Sequence, residues 1–191
     1  MTTTNGRRER KKAATRAAIA AAARRLFLER GFDGVTVREV AEEADVSATT
    51  LLNYFPTKEA LVFDRDADIE AALVRSVVER PAGTAPLAAL RAHLHERATF
   101  ATTAPGAATF REFVRSARSL VDYERAMWLR HQEALAVALA QESGRPADDP
   151  QCRLIAAFAV QTLTVAVGAE DPGQVIDLGL DLIERGSEPR R

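Results

Sequence analysis

The stretch from Thr36 to Leu61 constrains the fold more than any other, because it starts and stops helices at a pace that suits only a small packed head. Thr36-Val-Arg-Glu39 is a capping box, in which the threonine hydroxyl and the glutamate carboxylate serve each other's backbone amides. It opens a helix with Val40, Ala41 and Ala44 inward. Asp45-Val46 makes a turn, Ser47 caps the next helix, and Pro56 stops it, since a residue before proline avoids the helical region. Thr57 then caps another start. Ahead of this pair, a first helix beginning near Lys11 to Thr15 carries Ile19, Ala22, Ala23, Leu26 and Phe27 at the spacing of one apolar face, and Gly31 ends it.

Helical signals continue to the carboxy terminus. A long fourth helix is expected from Thr57 to the break at Pro81-Ala-Gly83, joining the head to the remainder of the chain. Further helices are expected at about Pro86 to Thr102, Ala107 to Arg118 and Asp122 to Glu142. Two late starts are sharply marked: Asp149-Pro150 and Asp171-Pro-Gly-Gln174 each place a cap before proline at the first helical position. These run to about Gly168 and Glu184, with Gly186 closing the last. No stretch reads as strand, and Ala, Leu, Arg and Glu dominate. The expected class is all-α, with an amino-terminal three-helix helix-turn-helix domain and a carboxy-terminal helical domain for ligand binding and dimerisation. Its parts are a basic arm at 1–14, the helix-turn-helix domain at 15–60, the second domain at 61–186 and a frayed tail at 187–191.

Charge is distributed unevenly along a chain whose net charge is only −1. Residues 1 to 65 hold twelve Lys plus Arg against nine Asp plus Glu, whereas the remainder holds fourteen against eighteen. Within Arg7 to Arg16 the basic residues Arg7, Arg8, Arg10, Lys11, Lys12 and Arg16 meet Glu9 alone, the footprint of a phosphate-seeking arm or of a solvated tail. A single cysteine, Cys152, excludes an intrachain disulfide and a multi-cysteine zinc site. The polar start Met1 to Gly6 does not read as a secretory signal. The longest apolar run, Leu154 to Ala169, is broken by Gln161, Thr162 and Thr164 and falls short of the ~20 residues of a membrane span. It reads as buried protein, with no membrane partner and a cytoplasmic location.

A helix-turn-helix lays its second helix in the major groove of DNA. Here Ala48, Thr49 and Asn53, with Thr50 beside them, are small or polar enough to approach base edges. Arg38 reaches a phosphate or a guanine edge, and Tyr54 and Lys58 lie where they donate to the sugar-phosphate backbone. The run Thr36 to Leu61, preceded by Leu26-Phe-Leu-Glu-Arg-Gly-Phe-Asp-Gly34, resembles the amino-terminal signature of the TetR family of bacterial transcriptional regulators. By that resemblance Thr36, Arg38, Ser47, Thr50, Tyr54 and Lys58 fall on positions that commonly contact DNA. Thr49 stands where the family often has Gly and Leu52 where it often has Tyr, so the operator cannot be borrowed from any better-known member.

The resemblance further implies a homodimer formed through the last two helices, a double-stranded DNA operator, a small-molecule effector and no cofactor. From Leu154 the helix is apolar nearly all round, and the final helix sets Val175, Ile176, Gly179, Leu180 and Ile183 on one face, flanked by Leu178 and Leu182. Ile155 and Leu163 join these as the expected dimer surface, the bare Gly179 permitting close approach. Aromatic and soft side chains at Phe100, Phe110, Phe113, Tyr123, Met127, Trp128 and Phe158 are candidates for an effector pocket. Arg111, Arg115 and Arg118 recur on one expected helix face, suited to clamping an acidic effector or simply to solvent. Rival readings are a dimeric regulator without an effector and a purely structural helical protein. Catalysis is not expected: His93 and His95, like His131 and Glu133, point to opposite sides of a helix, so neither pair holds a metal, and no nucleophile elbow or phosphate loop is present.

Overall fold

The computed structural model describes residues 3–187, with side chains from Gly6 to Arg185; of the tail expected at 187–191 only Ser187 is among them, as the last residue of a helix, and 188–191 lie outside. Every regular element among the described residues is helical: α1 Thr3–Arg30, α2 Val37–Glu43, α3 Ala48–Tyr54, α4 Asp66–Val78, α5 Pro86–Thr103, α6 Ala107–Arg115, α7 Arg118–Glu142, α8 Pro150–Val167 and α9 Pro172–Ser187. The chain is divided into two compact units. One runs to Asp66 and takes in Glu112–Tyr123; the other holds Ala67–Arg111 and everything from Glu124.

In the first unit, α1 packs on α2, α2 on α3, and a single 3-10 turn, Glu59–Leu61, packs back on α1. Ile19, Ala23, Phe27, Phe32, Val35, Val40, Ala41, Leu51 and Phe55 are all buried. The capping box at Thr36 is formed in full, and Ser47 Oγ accepts from Thr50 N at 3.0 Å. Gly31 ends α1 at φ 73°, a conformation that side chains resist and glycine adopts freely. The segment Glu112–Tyr123 completes this core: Phe113 stands 6.1 Å from Phe27 and 6.5 Å from Phe32, and Tyr123 stacks on Phe63 at 5.3 Å.

Four expectations about helix limits are corrected. The first helix begins at Thr3 instead of Lys11 to Thr15, so the described part of the basic arm is helical; its Ala, Arg and Lys are strong helix formers with no proline among them. The fourth helix is not one rod from Thr57. Thr57 Oγ1 accepts from Ala60 N at 3.2 Å, but the turn closes through Val62 N and Phe63 N on Glu59 O, and α4 starts afresh at Asp66. Asp66 and Asp68 in its first turn are favoured there by the helix dipole. The expected break at Leu120 to Asp122 lies at Ser116 and Ala117, because Leu120 is fully buried and holds α7 in place from Arg118 onward. Gly186 does not stop α9, which runs to Ser187.

The second unit is a helical body in which α8 packs on α9 and both pack on α5. Its core joins Leu73 and Val77 of α4, Leu90 and Leu94 of α5, Leu135 and Leu139 of α7, Ala156, Ala159 and Leu163 of α8, and Ile176, Leu180 and Ile183 of α9. Asp149 caps α8 by accepting from Cys152 N at 3.0 Å, which holds its carboxyl below the usual range. Asp171 accepts from Gln174 N at the start of α9, also at 3.0 Å. An ionic clasp ties α5 to α9: Arg91 reaches Asp177, Asp181 and Glu184 at 3.0, 2.7 and 3.2 Å, and His95 Nε2 lies 2.9 Å from Asp177. α8 is long and apolar enough to cross a membrane by length and composition. One of its faces, from Cys152 through Ala159 to Ala166, belongs to the body's core.

Candidate functional site

The reading helix α3 is only seven residues long, too short to persist alone, and its placement comes from what it is packed against. Leu51 and Phe55 are its inward anchors, 0% and 1% exposed. Ala48, Thr49, Leu52 and Asn53 are thereby turned outward and are all exposed. Thr50 and Tyr54 sit at the margin of this face, half-buried.

Polar groups around α3 are already occupied in ways that matter for what they offer a ligand. The Thr36 hydroxyl donates to Glu39 Oε2 at 2.7 Å and accepts from Glu39 N at 3.3 Å. Thr36 N donates to the same carboxylate at 2.7 Å, and Arg30 Nη1 reaches Glu39 Oε1 at 2.9 Å. The hydroxyl of Thr36 with its backbone amide, assisted by Arg30, holds the Glu39 carboxyl down at about 2. Ser47 Oγ shares a hydrogen bond with Thr50 Oγ1 at 2.8 Å. Arg38 is exposed at the start of α2. Lys58 is half-buried, its Nζ 4.2 Å from the centre of the Phe32 ring, a cation–π contact that keeps the ammonium on this side of the head.

One residue of the basic run has a different place from the one the charge pattern gives it. Arg16 is turned into the head, its Nη1 donating to Tyr54 O at 3.1 Å and its Nη2 to Asp64 O at 2.7 Å. No spacing signal marks it, because both acceptors are backbone groups far along the chain.

The residues expected to form the dimer surface are mostly turned inward. Leu163, Ile176, Gly179, Leu180 and Ile183 are buried and Ile155 and Val175 half-buried, packed within the chain's own body. Gly179 does permit close helix approach, but the approach is to Thr162 of the same chain. What remains outside is the opposite stripe: Leu154, Phe158 and Val165 on α8, with Leu178 and Leu182 on α9, each more than half exposed. Periodicity shows two apolar stripes on these helices, and packing decides which is inner.

The effector candidates are divided between the two units. Phe113, Arg115 and Tyr123 belong to the head unit, where Phe113 and Tyr123 fill aromatic contacts. Phe100, Phe110 and Phe158 are exposed, Met127 is buried, and Trp128 lies edge-on to His131 at 5.1 Å. The arginine stripe is interrupted: Arg111 donates to Ala101 O, whereas Arg118 is in the next helix, 3.5 Å from Asp122. Two hollows open in the body. One of about 410 Å³ is walled by Pro86, Leu87, Leu139, Cys152 and Ile155 with Ser143 and Glu184; the other, about 430 Å³, lies between α7 and α8. None of these candidate side chains lines either. Among the described residues no three His, Cys, Asp or Glu are grouped to hold a metal ion.

The described chain is all-helical, and its head presents a helix-turn-helix whose outer face carries Ala48, Thr49 and Asn53 with Leu52, the arrangement that such modules use to enter the major groove. Residues 19–64 match the family described as bacterial regulatory proteins, tetR family. The chain is 34% identical over 65 residues to the HTH-type transcriptional regulator TcmR of Streptomyces glaucescens. That match covers 34% of this chain and 29% of the relative, so the chain aligns with under a third of the length of the curated relative. The fold is similar over nearly the whole chain to Thermus thermophilus FadR, a TetR-family repressor solved in complex with lauroyl-CoA, at 24% identity and TM-score 0.55, covering 92% of this chain and 96% of that one. It is similar also to NalD, the secondary repressor of the MexAB-OprM multidrug efflux pump in Pseudomonas aeruginosa, at 19% identity and TM-score 0.55, covering 91% and 97%.

Proposed function

We propose that this chain is a cytoplasmic, homodimeric repressor of the TetR family. It holds a palindromic operator in double-stranded DNA with one α3 in each half-site and leaves it when a small-molecule effector binds. The observation that carries the reading is the outer face of α3. Ala48, Thr49 and Asn53 are exposed without bulk, and Leu52 beside them offers an apolar contact for a thymine methyl. Thr36, Arg38, Ser47, Thr50, Tyr54 and Lys58 surround this face as the groups for the backbone; the exposed Arg7, Arg8, Arg10, Lys11 and Lys12 extend the positive field along α1.

Dimerisation is supported by the outer stripe of α8 and α9. Two copies meeting there form a two-fold four-helix bundle, and half-sites then repeat at about one DNA turn (~34 Å) or a multiple. In this reading the effector is apolar, in keeping with the apolar walls that Pro86, Leu87, Leu139, Cys152 and Ile155 give the half-open hollow of the body.

Selection of duplexes from a randomised library, followed by binding assays of variants, tests the reading. Lys58→Ala weakens binding to every sequence and lowers the salt slope by about one. Asn53→Ala and Thr49→Ala instead relax sequence choice. A monomer that prefers no duplex overturns the proposal.

A further inference from the structure

Arg16 closes the basic run of α1, yet its guanidinium does not face outward with the rest. One nitrogen donates to the carbonyl of Tyr54 and another to the carbonyl of Asp64, and the group lies 4.3 Å from the centre of the Phe55 ring. Tyr54 is the last residue of α3, and its carbonyl is among those a helix end leaves without a partner. Phe55 is the residue that caps α3, 1% exposed. Asp64 lies in the turn that leads into α4. A guanidinium carries its donors in a fixed planar fork, so one rigid plane fastens both the end of α3 and the following turn to α1.

We propose that Arg16 is a positioning residue for DNA reading: it sets the seat of α3 in the head and does not itself touch phosphate. The proposal rests on the DNA-binding reading given above. α3 is held at its amino end by the Ser47 cap and the turn before it. Its last turn, which carries Asn53 and Tyr54, is held by Phe55 below and by the Arg16 fork at the carbonyl end. In so short a helix, release of one end lets that turn open locally while the rest of the head stays folded. Specific contacts made from that turn are then lost, whereas charge-based attraction to any duplex is kept.

Arg16→Lys separates the two roles, because it keeps the charge and removes the fork. The full-length variant and wild type are compared on a library-selected duplex and a random duplex over a range of salt concentrations. Arg16→Gln and far-UV circular dichroism run alongside. The expected result is a loss of about tenfold for Arg16→Lys on the selected duplex, with random-duplex affinity and salt slope unchanged. Amide exchange at Phe55 is expected to quicken in the same variant, and that at Ala44, which caps α2, to stay as it was. Arg16→Lys binding the selected duplex as tightly as wild type overturns the proposal. So does an Arg16→Gln that lowers both affinities together and reduces the salt slope by about one, which makes Arg16 a phosphate contact. Equal losses on both duplexes in step with lost ellipticity make it merely structural and overturn it as well. A wild type that prefers no duplex overturns the DNA-binding reading and this proposal with it, whereas a selective wild type matched by Arg16→Lys overturns this proposal alone.

Discussion

Gly179 of α9 lies so close to Thr162 of α8 that a Cβ on the glycine would stand 2.9 Å from the threonine's Cβ, with the Thr162 methyl and hydroxyl nearer still. Thr162 cannot simply swing away, since its hydroxyl donates to Phe158 O at 2.8 Å. Gly179→Ala is therefore expected to lower stability by about 1–2 kcal/mol, overpacking outweighing the gain in helix propensity. Urea unfolding checks it. A Gly179→Ala variant more stable than wild type, as an open helical site would give, refutes the close packing. Thr162→Ala in the same chain is expected to recover part of the loss, which a double-mutant cycle measures.

Much of the head was legible because its determinants are local. Thr36 with Glu39 and Ser47 with Thr50 each act across three residues, as Asp149 with Cys152 does in the second unit, and their side chains state the helix starts directly. The break before α4 was partly legible too, in the acids Asp66 and Asp68, but the apolar pattern running from Ala60 through Phe63 to Ile69 masks it. Inner and outer faces of α8 and α9 were not legible. Leu154, Phe158 and Val165 are as apolar as Ala156, Leu163 and Val160, and only packing distinguishes them. Membership of Phe113 and Tyr123 in the head, and the inward turn of Arg16, depend on contacts across long stretches of chain that no periodicity encodes.

Those two faces of the last helices predict opposite phenotypes from neighbouring substitutions. Phe158 and Leu182 are 56% and 54% exposed, so Phe158→Glu with Leu182→Glu is expected to leave the fold intact and halve the mass seen by sedimentation. Leu180, fully buried on the opposite face, is expected to cost about 2–5 kcal/mol as Leu180→Ala, from lost burial and a residual cavity. Dimers persisting in the double glutamate variant at micromolar concentration would move the interface elsewhere.

Acid sensitivity of the head arises from the capping box. The Glu39 carboxyl sits at about 2 in the folded chain, below its ordinary 4.5, first because the Thr36 hydroxyl donates to it, then through the Thr36 amide and Arg30. A depressed carboxyl contributes stability above its unfolded value and loses it as pH falls through the folded one. The contribution is thus complete at neutral pH, declines below about pH 4.5 and is gone near pH 2. Glu39→Gln is expected to flatten that limb of the stability curve. A titration of the side-chain carboxyl by NMR with its midpoint near 4.5 instead of about 2 would contradict the geometry.

The turn that delivers α3 carries a strain with a direct test. Asp45 lies at φ 52°, the left-handed region, between α2 and α3, with its amide donating to Glu42 O at 3.1 Å and Val46 N to Ala41 O at 2.9 Å. Those two bonds close α2 in the manner of a helix end that favours glycine, and aspartate tolerates the conformation better than most residues do. Asp45→Gly is expected to raise the head's stability by about 0.5–1 kcal/mol, whereas Asp45→Val, with its branched Cβ, is expected to lower it by about 1–2 kcal/mol. The turn also fixes where Ser47 and the start of α3 stand, so Asp45→Val is expected to weaken binding to a selected duplex more than to a random one. Denaturant unfolding and paired binding assays measure the two effects. Equal stability of the glycine and valine variants would mean that the turn does not hold the left-handed conformation.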